Sequence, residues 1–201
     1  MHKEIFTEEQ IKLLPLLTKF SDRFYLVGGT AIALQLGHRR SVDFDLFSPK
    51  SFRNSDVIKK VKEYGAPEVF VDEINEVTLS MLGVKMTFYH YEYPVKRTQK
   101  LDNYIKMPDL LNLASMKAFA LGRRAKWKDY VDLYFLLEKF GFANINQNTL
   151  TIYGDEYSER MLREQLSYFD DINYSEKVDF MPGFEVSEEA VKEALINHAV
   201  S

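Results

Sequence analysis

The chain has 201 residues, with 26 lysines and arginines against 30 aspartates and glutamates (net charge −4), four histidines, no cysteine and 46% hydrophobic residues. That length fits one large domain or two small ones sharing an interface, and 15 Phe, 12 Tyr and 1 Trp supply enough apolar surface to offset chain entropy, which excludes wholesale disorder. The lack of any thiol excludes disulfide scaffolds, cysteine nucleophiles and thiolate zinc sites, and the histidines at 2, 38, 90 and 198 show no paired metal spacing. The longest apolar run, Leu133 to Leu137, is far too short to span a membrane. Lys3, Glu4, Glu8 and Glu9 stand where a signal peptide would need an apolar stretch. A soluble protein of the cytoplasm is expected. Residues 1–150 carry 22 basic and 18 acidic side chains, residues 151–201 carry 4 and 12, so the front part is the better candidate for meeting phosphates.

Thr7 and Gln10 have capping-box spacing and the leucines at 13, 14, 16 and 17 follow, which predicts a short helix interrupted at Pro15. Phe24 to Val27 reads as a buried strand ending at Gly28-Gly29, Thr30 as the cap of a helix from Ala31 to Leu36, and Gly37 as its stop. Residues 42–47 alternate with period two, which sends Val42, Phe44 and Leu46 to one face and Asp43 and Asp45 to the other. A helix near Asn54 to Tyr64 leads into strands at about 67–74, 76–82 and 84–92, joined by turns at Asn75 and Gly83. From Pro108 the period becomes helical: Leu110, Leu111, Leu113, Ala114, Ala118 and Leu121 form a stripe that Gly122 stops. After the basic link of Arg123, Arg124 and Lys126, a second helix carries Val131, Tyr134, Phe135 and Leu137 up to Gly141, with further helices near 155–170 and 187–198. Residues 1–105 therefore read as an α/β unit and residues 106–201 as a helical domain packed on it.

Two carboxylates aimed together repel each other unless a cation sits between them, and hard divalent ions such as Mg²⁺ prefer oxygen ligands. An Asp-x-Asp is also the ordinary polar side of a strand, and a Gly-Gly-Thr turn is also an ordinary tight turn. Their combination says more. A glycine pair lets backbone approach a phosphate, and a helix start attracts the anion. With 12 residues between Thr30 and Asp43, a triphosphate site and its metal ligands would lie on neighbouring strand ends.

The stretch FYLVGGTAIALQLGHRRSVDFDLF (24–47) resembles the first motif of the AbiEii/AbiGii-type toxin family of nucleotidyltransferases, related to the MenT toxins within the DNA polymerase β-like superfamily. LASMKAFALGRRAKWKDYVDLYFLL (113–137) resembles its second motif, and GVKMTFYHYEYP (83–94) and LREQLSYFDDI (162–172) are similar to further family segments. The resemblance implies an α/β (α+β) fold with a polymerase β-like mixed sheet and a C-terminal helical half. It also implies transfer of a nucleoside monophosphate from an NTP to an acceptor hydroxyl, with Mg²⁺ or Mn²⁺ as cofactor. By resemblance, Gly28, Gly29 and Thr30 bind the triphosphate, and Arg39 and Ser41 belong to the same nucleotide site. Asp43 and Asp45 hold the metal and are catalytic. Lys117 reaches the triphosphate, and Asp132 is a catalytic acidic position that Asp129 supports.

The strand Val84 to Tyr91 has Thr87 on its polar side where many enzymes of the superfamily have a third carboxylate. One firmly held Mg²⁺ is therefore expected, with a weaker second ion or Asp132 as base activating the nucleophile. The basic run Arg123, Arg124, Lys126 and Lys128 reads either as a solvated link or as a hold for a nucleotide or RNA backbone. The resemblance further implies the toxin of a toxin–antitoxin or phage-defence pair, with tRNA 3′ ends as acceptor and a cognate antitoxin as partner. The alternatives are a nucleotidyltransferase acting on a protein or small molecule, and an inactive pseudoenzyme that serves as a binding partner.

Overall fold

Thr7 and Gln10 close a reciprocal capping box at the start of α1 (Glu8–Thr18) in the computed structural model of the chain, which describes residues 1–121 and 126–201. The helix runs through Pro15 rather than stopping there. An interior proline costs about 3 kcal/mol, but Leu13, Leu14, Leu16 and Leu17 are buried around it, each contributing about 1.5–3 kcal/mol. Burial wins, and the predicted interruption does not occur.

The chain divides into two compact units, residues 1–36 with 41–109 and residues 37–40 with 110–201. The first is built on a five-stranded mixed sheet of β1 (Tyr25–Val27), β2 (Phe44–Ser48), β3 (Glu68–Glu73), β4 (Glu76–Met81) and β5 (Val84–His90), in the order β1-β2-β5-β4-β3. Only β2 and β5 pair in parallel. The tight turns fall where the sequence places them, with Asn75 and Gly83 both at positive φ. α2 (Gly28–Leu36) connects β1 to β2, and α3 (Asn54–Lys62) connects β2 to β3. Phe20, Phe24 and Phe88 pack against one another and Phe52 adds to Phe24, with ring centroids 4.8–5.9 Å apart, so three of the rings come from loops or helix ends and one from the central strand.

Two local expectations change. α2 begins directly at Gly28, so Thr30 stands within its first turn and is not its cap. β2 begins at Phe44, so Val42 precedes the ladder and is 47% exposed instead of sharing the buried face of Phe44 and Leu46. A hairpin of β6 (Gln99–Leu101) and β7 (Ile105–Met107), unforeseen in the sequence, turns at Asp102 and lays β7 against β1.

In the second unit, α4 (Leu110–Leu121) buries every side chain from Asn112 to Phe119, far more than one stripe. α5 (Trp127–Phe140) ends at Gly141 with φ 73°, as expected. The predicted stop at Gly122 and the basic residues Arg123 and Arg124 lie outside the described residues. α6 (Phe142–Tyr153) is an addition to the sequence reading: its run of Asn and Thr has weak helix propensity, yet Phe142, Ile145, Thr149 and Tyr153 recur at helical spacing, are buried, and Tyr153 stacks on Phe119 of α4 at 3.9 Å. α7 (Glu159–Ser167) and α8 (Glu188–Val200) complete the eight α-helices of the described residues. No described helix is long and apolar enough to cross a membrane.

Candidate active site

The chain reaches Gly28 from β1 and must turn at once into α2. Gly28 does so at φ +71°, and a Cβ there would stand 2.1 Å from Asp45 Oδ2. The antiparallel register explains the approach, since Val27 at the end of β1 lies opposite Asp45 on β2. The glycine turn and the second aspartate therefore share one space that only a hydrogen atom can leave open. Gly28→Ala should cost about 1–3 kcal/mol in backbone strain alone, plus the displacement of Asp45. Urea unfolding reads this, and a loss under about 0.5 kcal/mol, the size of an ordinary surface change, would disprove the packing.

Thr30, 1% exposed, donates its hydroxyl to the Asp43 carbonyl at 2.5 Å and shares a 2.9 Å hydrogen bond with the Ser41 hydroxyl. Gln10 Nε2 donates to the Ser41 carbonyl at 2.9 Å. The side chains of Thr30 and Ser41 thus clamp the segment before β2 to α2. What remains to meet an anion is the backbone of Gly28, Gly29 and Thr30, because the first amides of a helix have no intrahelical acceptor.

Phe44 and Leu46 fill the core from one side of β2 while Asp43 and Asp45 stay partly exposed on the other. On that side the next strand offers no third carboxylate: Asp45 pairs in register with Thr87, and Lys85 Nζ sits 3.0 Å from Asp43 Oδ2. Among the described residues no group of three His, Cys, Asp or Glu gathers. This donor set does not make an all-protein cage. It does fit a Mg²⁺ held by two carboxylates and completed by substrate phosphates, which is how that ion usually binds beside nucleotides.

The second unit gathers the other candidates. Asp132 is fully buried on α5 and accepts from Arg39 Nε at 2.7 Å, Arg39 Nη2 at 2.8 Å and His38 Nε2 at 2.8 Å, with Lys117 Nζ at 3.0 Å. Lys117 also donates to Asp129 Oδ1 at 2.7 Å. Burial alone would raise the Asp132 pKa, but the charges of Arg39 and Lys117 and the hydrogen bonds of His38 and Arg39 hold it well below the carboxylate range. So arranged, it has little affinity for a proton and is poorly suited to act as a base; its geometry is that of an anchor for two buried cations. Asp129 lies in the first turn of α5, where a carboxylate also suits the helix dipole.

His38 is the residue of this network that sequence reasoning missed. Burial lowers its pKa, against the pull of Asp132, and its Nδ1 is buried without a hydrogen-bond partner. With Nε2 donating to Asp132, Nδ1 is the bare lone pair of a neutral ring. As pH falls past about 6.5 the unfolded chain takes up this proton before the folded one does, so stability declines there. The contribution of Asp132 is present above its unfolded value near 3.8 and is lost only at more acidic pH. His38→Gln should flatten unfolding free energy between about pH 7 and pH 5; an unchanged slope would place the titration elsewhere.

Of the basic run, Lys126 and Lys128 both donate to Glu176 at 2.9 Å and draw its pKa down to about 2. The acidic tail of the chain thus occupies these two ammonium groups. The signal for His38 was its place beside Arg39 just after Gly37. Lys85 left no local signal, because its meeting with Asp43 depends on a parallel pairing of strands far apart in sequence.

Comparison with known proteins bears on the family and the fold. The profile of the family described as nucleotidyl transferase AbiEii toxin, type IV toxin–antitoxin system, matches residues 16–107. An uncharacterised protein of Aquifex aeolicus is 30% identical over 181 residues, 84% of each chain. Among solved structures, MenT4, a nucleotidyltransferase toxin from Mycobacterium tuberculosis, superposes with a TM-score of 0.60 at 16% identity, over 94% of this chain and 80% of that one. A candidate nucleotidyltransferase from H. pylori gives 0.56 at 16% identity, over 96% and 95%. These likenesses establish the nucleotidyltransferase fold.

Proposed function

This chain belongs to the AbiEii family of nucleotidyltransferase toxins, and on that premise we propose that it transfers a nucleoside monophosphate from an NTP to an acceptor hydroxyl. The observation that carries this is the packing of Asp45 on Gly28, which sets its carboxylate beside the first residue of α2. The Gly28–Thr30 backbone receives the triphosphate, and Thr30 and Ser41 hold Asp43 in place through the clamp described above. The acceptor oxygen forms a bond to the α-phosphorus as the bond from that phosphorus to the bridging β-oxygen breaks. Pyrophosphate leaves with that oxygen, and the hydroxyl proton passes to solvent. A Mg²⁺ bound at Asp43 and Asp45 would neutralise phosphate charge there. The protein's own share is positioning and electrostatics, as phosphoryl-type transfer asks little covalent chemistry of its catalyst.

For the second set the proposal is narrower. Asp132 positions Arg39 and Lys117, and Asp129 supports Lys117. We further read the chain as a toxin that modifies tRNA 3′ ends in the cytoplasm and is held in check by an antitoxin, a reading supported by the toxin–antitoxin description of the matching family. The test is incubation with each labelled NTP, Mg²⁺ and either total RNA or RNA-free cell extract. Label on RNA 3′ ends is expected; label on a protein or metabolite moves the acceptor and keeps the reaction, and no label in any mixture overturns the enzyme reading.

A further inference from the structure

We infer that the Lys85 ammonium takes the place of a second divalent ion beside Asp43, so that this nucleotidyltransferase works with a single metal ion. This rests on the reading just given and concerns how its site is charged. The parallel register of β2 and β5 pairs Asp45 with Thr87 and, continued one step, sets Asp43 beside Lys85. Lys85 Nζ stands 3.0 Å from Asp43 Oδ2. One strand further on, β4 places Thr78 opposite Thr87 and Ser80 opposite Lys85, and the Thr78 and Thr87 hydroxyls approach each other at 3.4 Å. As far as β4, the rows running across the sheet from the two aspartates contain a cation and neutral hydroxyls, and a carboxylate returns only on the edge strand β3, where Glu68 stands opposite Ser80.

Two ions about 3.5–4 Å apart need additional anionic oxygen to hold them together. Here the nearest cross-strand group is already positive, and a second divalent cation next to an ammonium would meet repulsion rather than a ligand. The ammonium instead gives Asp43 a permanent counter-charge and adds positive charge where a triphosphate would lie. Both partners are partly exposed, at 43% and 33% of their side chains, so the pair itself contributes at most about 1 kcal/mol to stability. Substitution at Lys85 should leave the fold standing, which suits it to a test of charge.

The experiment counts Mn²⁺ by electron paramagnetic resonance and calorimetry in the presence of a non-hydrolysable NTP analogue. Wild type should bind one Mn²⁺ per chain. Lys85→Gln should still bind one but hold the analogue about tenfold more weakly, and Lys85→Arg should recover most of that loss. The double variant Lys85→Gln/Thr87→Asp should bind two Mn²⁺ with a spin-coupled spectrum. Two ions in wild type would overturn the inference while leaving the nucleotidyltransferase reading intact, and so would a double variant that still binds one. No Mn²⁺ in any of these proteins would end the metal reading and this inference with it.

Discussion

Asp132→Asn should lower unfolding free energy by about 3–5 kcal/mol, the largest stability loss expected of any conservative change in this chain. The amide keeps the shape of the carboxylate and removes its charge. Arg39, 2% exposed, and Lys117, 5% exposed, would then keep their charges with Asp129 as the one remaining carboxylate of the network described here. Removing one member of a buried ion cluster leaves desolvated charge without compensation, and this exceeds the net worth of any single pair. The measurement is a urea midpoint at neutral pH, with Glu176→Gln beside it. Glu176 joins Lys126 and Lys128 at half-exposed positions, where ion pairs contribute at most about 1 kcal/mol. If Asp132→Asn unfolds no more easily than Glu176→Gln, the cluster is not the anchor described above.

The contrast between these residues also explains what could be read from the sequence. Local chemistry survives translation into structure: the Thr7–Gln10 capping box, the turns at Asn75 and Gly83 and the end of α5 at Gly141 depend on a few adjacent residues, and each falls where its residues indicate. The α/β front and the helical back half were legible because hydrophobic period changes from two to that of helices near Pro108, whereas the mixed sheet was an expectation from the family resemblance alone. Competition between local and distant terms was not legible. Pro15 loses to four buried leucines, and the poor helix formers of α6 are overruled by Phe142, Ile145, Thr149 and Tyr153 packing inward.

The candidate site divides in the same way. Gly28 and Asp45 could be named from their motif, but that they meet in one space follows from the β1–β2 register. Lys117 and Asp132 could be named through the resemblance of residues 113–137 to the family's second motif. What they do there depends on Arg39 and His38, which come from nearly a hundred residues earlier in the chain and are buried against Asp132. A sequence shows that a charge stands on an apolar face, and only the fold shows which charge answers it.

Asp45→Asn should abolish transfer while leaving the protein folded, the largest expected effect on activity. Asparagine matches aspartate in volume, so it can keep the contact with Gly28 that a larger or branched side chain would disturb. It loses the negative charge that a divalent ion needs, and charge stabilisation worth several kcal/mol in the transition state corresponds to a loss of about a thousandfold or more in rate. Relief of repulsion between Asp43 and Asp45 should make the metal-free variant at least as stable as wild type. Rate, unfolding midpoint and Mn²⁺ affinity should be measured on the same preparation. A rate loss with an unchanged midpoint and weakened Mn²⁺ binding is the expected result. A rate loss accompanied by unfolding would mean that Asp45 matters through the Gly28 turn, and a variant with the wild-type rate and Mn²⁺ affinity would remove it from the active site.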